Sequence, residues 1–442
     1  MRIRLNVVLD RLTGNFWFIP SLMTAGAVLL AVATITLDHS DYGDWLRRGA
    51  WHDRLQIENA RLIVSTIAGS MITVTSLVFS LTLIALTLAS QQLGPRLLSV
   101  FMRDRITQFV LGLFVATFLY SLLVLAALSE VKNHWSTPVF SILTALFLAV
   151  VSVGFLISFI HHLANSMQAD TMIARMGADL ADQVKRMFPA RSDGSSENAH
   201  GSHDRGRSPG KAAELCAPLS GYFQTVDLGS LIESACARDL EIVLFVRPGD
   251  FVSEGEPLGS VRPAEKLSDS VREELVSAIV LGKIRTPVQD LEFAISAIVE
   301  IALRALSPGV NDPYTTVTCV DQLGDAVSKV LKRAPAISRH ADDKGHLRVT
   351  TSVITLDNVM DMAFNEIRQS AKDNVAITIR LLDTLLRLAR FAASSTACAA
   401  VRRHAEMIER SAKEHVAEPR DLEDIAKRLS RLEQLLTEAT GP

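Results

Sequence analysis

Apolar positions are spread unevenly along the chain. Up to residue 165 they run together in four blocks, Phe16–Leu37, Leu62–Ala89, Ile106–Leu128 and Pro138–Ile160. Each is long enough to cross a bilayer as a helix. Trp17 and Trp135 stand at the entrances of the first and fourth as interface anchors. Ala31-Val32-Ala33 has the form of a signal-peptidase site, but the apolar run continues past it to Leu37, which predicts an uncleaved anchor. Beyond the fourth block the pattern becomes amphipathic. Leu163, Met167, Met172, Met176, Leu180, Val184 and Met187 recur at near-helical spacing and predict a helical stalk over 166–189. Residues 190–212 are small and polar and predict a disordered linker.

The second block carries a polar stripe. Thr66, Ser70, Thr73, Ser76, Ser80, Thr87 and Gln91 are separated by three, four or seven residues, which places them on one side of a helix. Small hydroxyl residues let membrane helices approach closely, and a Ser or Thr proton can return to the i−4 carbonyl. The same stripe could line an aqueous path formed by several subunits. Twenty-eight residues rise about 42 Å against about 30 Å of hydrocarbon, so this helix must tilt or project. Gly94-Pro95 breaks it, and "RLLSVFMRDR" then has the form of an interfacial segment.

Charge fixes an expected orientation. Arg2, Arg4 and Arg11 precede the first block, Arg96, Arg103 and Arg105 follow the second, and Arg175, Lys185 and Arg186 follow the fourth, whereas the third loop holds only Lys132. Both termini are therefore expected on the cytoplasmic side of the membrane. No Asp, Glu, Lys or Arg lies in the central part of any block, which disfavours proton-coupled carriers and voltage sensors. His161-His162 reads as a pair of interfacial residues, the alternative being a pH or metal sensor. The 442 residues are 48% hydrophobic with a formal net charge of −3, unlike a general nucleic-acid binder. Cys216, Cys236, Cys319 and Cys398 form no metal-ligand spacing or disulfide framework, and no metal or cofactor is expected.

Alternation and turn residues predict a small β-rich module over 213–265. Strands are expected at Gly221–Val226 and Leu240–Arg247, with a short helix capped by Asp227 between them. The "PGDFVSEGEPL" segment resembles the hammerhead strands of biotinyl/lipoyl carrier domains, without the carrier lysine. From 266 to 442 the pattern is mainly helical. Thr286-Pro287-Val288-Gln289 has the form of a capping box and starts a helix running to about Leu306. "SPGVNDPYTTV" then makes a tight elbow into the next helix. "HLRVTTSVIT" predicts one strand. Helices are expected near Asn358–Lys372, Asp373–Ala392, Thr396–Val416 and Pro419–Ala439. Leu422, Ile425, Leu429, Leu432 and Leu436 mark a seam that packs internally or joins subunits.

The ordered set "PGDFVSEGEPL", "RTPVQD" and "ALSPGVNDPYT", together with four N-terminal spans, resembles a bacterial predicted-membrane-protein family, domain of unknown function 2254. The resemblance covers nearly the full chain, with 190–211 as an insertion. It implies an integral membrane protein with a cytoplasmic C-terminal region and carries no activity with it.

Asp290, Glu292, Glu300, Asn311, Asp312 and Asp321 gather around the hairpin in sequence. One reading is a polar site for a small ion or ligand, with Asp290, Glu300, Asn311 and Asp312 at the elbow. The other has Asn311 and Asp312 capping a helix while Asp290 and Glu300 pair with Arg285 and Arg304. No phosphate-binding Gly loop, zincin His pair or nucleophile elbow is present, so a non-enzyme is expected. The expected fold is a membrane all-α domain of four transmembrane helices over 1–165, followed by a cytoplasmic α+β region, mostly helical with a small β module. The expected function is an oligomeric channel or permeation protein with a cytoplasmic regulatory domain, its partners being the lipid bilayer and further copies of itself. The rival is a membrane-anchored scaffold or sensor without transport.

Overall fold

The computed structural model describes residues 16–38, 57–93, 104–129, 138–166, 168–190, 210–286 and 289–439. The chain divides into two compact units, Met1–Gln168 and Ala169–Pro442. Most of the expected linker, the Gly94-Pro95 break, most of the interfacial segment, Met167, Trp135 and the basic N-terminus lie outside the described residues.

The first unit is built from α1 (Phe18–Asp38), α2 (Ile57–Leu93), α3 (Arg105–Ser129) and α4 (Val139–Ser166). All four are long and apolar enough to span a membrane. The third is central: 56% of its apolar window is buried within the unit, against 22%, 17% and 22% for α1, α2 and α4. Gly112 permits its close approach to α1, since a β-carbon there would stand 2.8 Å from Met23 Sδ and 3.0 Å from Pro20 Cα. Polar links then fix the helices. Thr34 Oγ1 lies 2.9 Å from Tyr120 OH, and Thr117 Oγ1 lies 3.2 Å from Ser152 Oγ. At one end of α4 the Asp38 carboxylate accepts from the backbone N–H of Phe140 (2.9 Å) and Ser141 (3.0 Å) and from Ser141 Oγ (2.7 Å). At the other end, His162 Nε2 meets Asp104 Oδ2 at 2.9 Å. Asp104 also accepts from Thr107 Oγ1 at 2.6 Å. Burial opposes the Asp104 charge, but these bonds hold its carboxyl below the usual range.

The fourth span and the segment expected as a stalk are two helices rather than one. α4 ends at Ser166, and α5 runs Ala169–Met187. Its predicted apolar face (Met172, Met176, Leu180 and Val184) is buried, packing within the second unit.

The second unit holds two sheets. β1 (Ala213–Cys216), β3 (Glu241–Leu244), β5 (Pro257–Arg262), β7 (Arg339–Ala341) and β8 (Leu347–Thr350) form one, in the order β1-β5-β3-β8-β7. β2 (Gly221–Val226), β4 (Phe251–Val252) and β6 (Ile279–Gly282) form the other, in the order β4-β2-β6. The Gly221–Val226 strand and α6 (Leu228–Arg238) match expectation, with Asp227 as N-cap accepting from Ser230 N at 3.1 Å. The other strands differ. Leu240–Arg247 shortens to β3, because its end turns into Pro248-Gly249. β3 is buried in the middle of its sheet and takes β8, over a hundred residues later, as a parallel neighbour with Ile242 opposite Val349. The β region is therefore discontinuous in sequence, and β7 adds a strand that the sequence pattern did not mark.

The helical part follows α7 (Asp269–Ser277). It comprises α8 (Leu291–Ala305), α9 (Pro313–Leu331), α10 (Leu356–Ser370), α11 (Val375–Ala389), α12 (Ser395–His415) and α13 (Pro419–Ala439). α8 and α9 form the predicted hairpin, packed by α5 on one side and α10 and α11 on others. The Leu seam of α13 buries Ile425, Leu432 and Leu436 within the chain, against α11 and α12.

Candidate functional site

The polar stripe of α2 lies on the outside of the first unit. Ala60, Val64, Ile67, Met71, Val78 and Ala85 are buried and face the other helices. Thr66, Ser70, Thr73, Ser76, Ser80 and Thr87 are exposed, roughly on the opposite side of the helix. The hydroxyls therefore do not bind the four helices of one chain together. Thr66, Thr73 and Thr87 donate to the carbonyls of Leu62, Gly69 and Leu83 at 2.7, 3.0 and 2.8 Å, and Ser70 donates to Ile67 at 3.0 Å. With their protons turned inward, these oxygens present lone pairs outward, so the surface accepts hydrogen bonds or cations. The side chain of Gln91 lies outside what is described.

The acidic residues of the hairpin do not converge. Asp290 sits at the start of α8, and Asn311 and Asp312 follow its end, roughly 22 Å away along a fifteen-residue helix. Asp312 caps α9, accepting from Thr315 N (3.2 Å) and Thr315 Oγ1 (2.5 Å), which keeps its carboxyl below the ordinary range. Asn311 takes the left-handed conformation that the elbow needs, with φ 49°. Glu300 lies within α8. Asp321 pairs with Arg380 and Arg387 of α11. The elbow residues thus serve the turn and its caps.

Asp290 has another setting. The expected Thr286 cap gives way to Asp290, whose Oδ1 accepts from Phe293 N at 2.9 Å, so the helix begins at Leu291. Asp290 also takes a two-pronged contact from Arg285, Nε to Oδ2 at 2.8 Å and Nη2 to Oδ1 at 2.9 Å, while only 2% exposed. Burial works against the Arg285 charge, but Asp290 and Glu292 raise its pKa above the ordinary value. Gln289 is freed from the capping box and clamps β2 instead. Its Oε1 accepts from Val226 N at 3.0 Å, and its Nε2 donates to Val226 O at 3.3 Å.

The turn of "PGDFVSEGEPL" packs onto this pair. Gly249 has φ +103°, and a β-carbon there would lie 2.6 Å from Asp290 Oδ2. Arg247 then reaches Glu292 Oε2 at 3.4 Å and Asp250 Oδ1 at 3.8 Å. Two of the sequence motifs are therefore one construction. They border a cavity of about 530 Å³ inside the second unit, closed also by α5 and the segment after β8. Most of its lining surface is apolar, from side chains such as Met187, Ile337 and Ile354, while Arg186, Arg247, Asp290, Glu292 and His340 are among its polar groups. Gln183 is 8% exposed, and its Oε1 has no hydrogen-bond partner among the described residues. Burial keeps the His340 imidazole below its usual pKa. A mostly apolar lining with a carbonyl acceptor suits binding a mostly apolar molecule that carries a hydrogen-bond donor. Among the described residues, no group of three His, Cys, Asp or Glu side chains is placed to hold a metal. The sequence marked both motifs but not the cavity, because α5 and the 351–354 segment join it only through tertiary packing.

A family model described as "Predicted membrane protein (DUF2254)" matches residues 13–387. The chain is 30% identical over 434 residues to uncharacterized proteins of Mycobacterium bovis and Mycobacterium tuberculosis, covering 95% of this chain and 80% of theirs. No solved structure matches significantly.

Proposed function

Because the chain belongs to the DUF2254 family of predicted membrane proteins, we propose that it is an oligomeric permeation protein of the bacterial inner membrane. Its second unit is then a cytoplasmic regulatory domain. The observation that carries this reading is the outward position of the α2 stripe. A row of hydroxyl oxygens directed away from its own unit gains most where several copies bring their stripes together around water or ions. The excess of Lys and Arg at the termini and second loop supports a cytoplasmic location for both ends. In this reading the chain is not an enzyme, and the cavity beside Asp290 receives the small ligand that regulates permeation.

One observation favours a second reading, a membrane-anchored scaffold or sensor. The hydroxyl protons of Thr66, Ser70, Thr73 and Thr87 are already satisfied within α2, so this part of the stripe can also rest against a second copy without water. Ion efflux from liposomes holding the full-length protein separates the two. The channel reading expects flux that Ser76→Leu abolishes while assembly size in detergent is unchanged. Absence of flux together with an altered assembly size would establish the scaffold instead.

A further inference from the structure

The C-terminal halves of α10 and α12 enclose an open groove of about 530 Å³, well beyond the hairpin elbow in sequence. Arg368 and Lys372 enter it from the α10 side, and Arg410 and His415 from α12. Glu414 is the carboxylate among the lining residues. Arg410 has Glu406 at 3.9 Å, an exposed and weak pairing. Arg368 has less: its Nε is buried without a hydrogen-bond partner, and no carboxylate among the described residues lies within ion-pairing distance of it. His415 donates from Nδ1 to the Ser411 carbonyl at 3.0 Å, which turns Nε2 away from the helix.

This is an unfavourable arrangement for a folded chain on its own. Burial, and then the neighbouring Arg410 charge, push the Arg368 pKa below the ordinary arginine value. Elsewhere in the same helical bundle other arginines have carboxylate partners, although Arg380 Nε is likewise buried without an acceptor. Arg380 and Arg387 share Asp321, Arg403 takes Asp357 and Asp361, and Arg428 takes Asp383. The negative ends of α10 and α12 favour basic residues nearby, but that effect is diffuse and provides no acceptor for a particular N–H. A guanidinium without a carboxylate partner, beside two further cations, is what a bound anion would complete.

We propose that the groove between α10 and α12 binds a phosphoryl group, with Arg368, Lys372 and Arg410 converging on its oxygens. A tetrahedral, doubly charged oxyanion supplies the several acceptors that these three side chains need, and a monovalent halide does not. The group can belong to a soluble phosphate compound or to a lipid headgroup.

The test uses the full-length protein in a neutral detergent, followed by thermal unfolding and calorimetric titration. Pyrophosphate is the soluble probe, with sodium chloride at matched ionic strength as its control. Short-chain phosphatidic acid, with phosphatidylcholine as control, is the lipid probe. Arg410→Gln and Lys372→Gln are the variants, since both positions are exposed. The expected result is saturable binding of one probe, weakened at least about tenfold in each variant. A second expectation is that Arg410→Gln raises the unfolding temperature of the free protein, because a repelling charge has gone. Pyrophosphate binding assigns a soluble ligand, and phosphatidic acid binding without it assigns a lipid headgroup. Absence of binding by either probe overturns the proposal, as does binding that both variants leave unchanged.

Discussion

Gly249 lies so close to Asp290 that a β-carbon on it would meet Oδ2 at 2.6 Å and Arg285 Nη2 at 2.7 Å. A turn of the β region and the cap of the central helix are thereby one unit of structure. Alanine at 249 would have to dislodge a buried ion pair and also hold φ at +103°. Gly249→Ala should destabilise the second unit by about 2–4 kcal/mol, read as a lower denaturant midpoint with unchanged slope. An unchanged midpoint would mean that the turn and the pair are not packed together.

Asp290 performs two tasks that substitutions can separate. Asparagine keeps a good cap for Phe293 N but leaves the half-buried Arg285 with only its 3.7 Å contact to Glu292; alanine loses the cap as well. Asp290→Asn should cost about 3 kcal/mol, and Asp290→Ala about 1 kcal/mol more. Restoring most of the loss in the asparagine variant by Arg285→Met would confirm that the stranded guanidinium carries the larger share.

These contacts show where the sequence was readable. The four spans follow from hydropathy alone, and β2, Asp227 and α6 follow from local alternation and a cap. The start of α8 did not follow, because Thr286 and Asp290 are both good caps. The choice falls to Asp290 through its pairing with Arg285 and its packing against Gly249, and no local rule sees either. β8 was visible as a strand but not as the neighbour of β3, since parallel pairing over such a separation leaves no local pattern. The spacing of the α2 stripe was legible, while its outward direction required knowing which side of α2 holds Val64 and Val78.

His404 predicts a pH dependence. It is 1% exposed, and burial holds its imidazole down to about 4, although Asp361 Oδ1 lies 3.2 Å from Nε2. The unfolded chain takes up its proton near pH 6.5, before the folded chain does. The stabilisation from a neutral His404 is therefore complete above about pH 6.5, declines as the pH falls, and is lost through about 4. Stability should fall by up to about 3 kcal/mol across that window. Chemical denaturation of wild type and His404→Gln at several pH values tests this. The variant should lack that decline, and parallel curves for the two proteins would exclude His404 as its source.

Asp38 joins the end of α1 to the start of α4 as a cap supplied from another helix. Replacing it with alanine leaves two backbone N–H groups and Ser141 Oγ without their acceptor in a site that is 5% exposed. Asp38→Ala should cost about 2–3 kcal/mol, measured as thermal unfolding in detergent. Ser141→Ala removes one of the three bonds and should cost about 1 kcal/mol. Equal losses from the two changes would show that the backbone N–H groups find another acceptor.

The α2 surface gives the sharpest contrast within the membrane unit. Thr73 donates only to its own helix, at Gly69 O, and no neighbouring helix buries it. Thr73→Val keeps the shape and removes that local bond, so unfolding of an isolated chain should change by less than about 0.5 kcal/mol. Gly112→Ala, by contrast, pushes a methyl group toward Met23 Sδ and the Pro20 backbone and should cost about 1–3 kcal/mol. Thr73 then acts as a reporter of whatever lies beyond the unit. If Thr73→Val leaves stability intact in dilute detergent but alters assembly or ion flux in a bilayer, the outward hydroxyls contact another copy or the permeant path. If it changes neither, that position faces lipid, and the channel reading loses its support there.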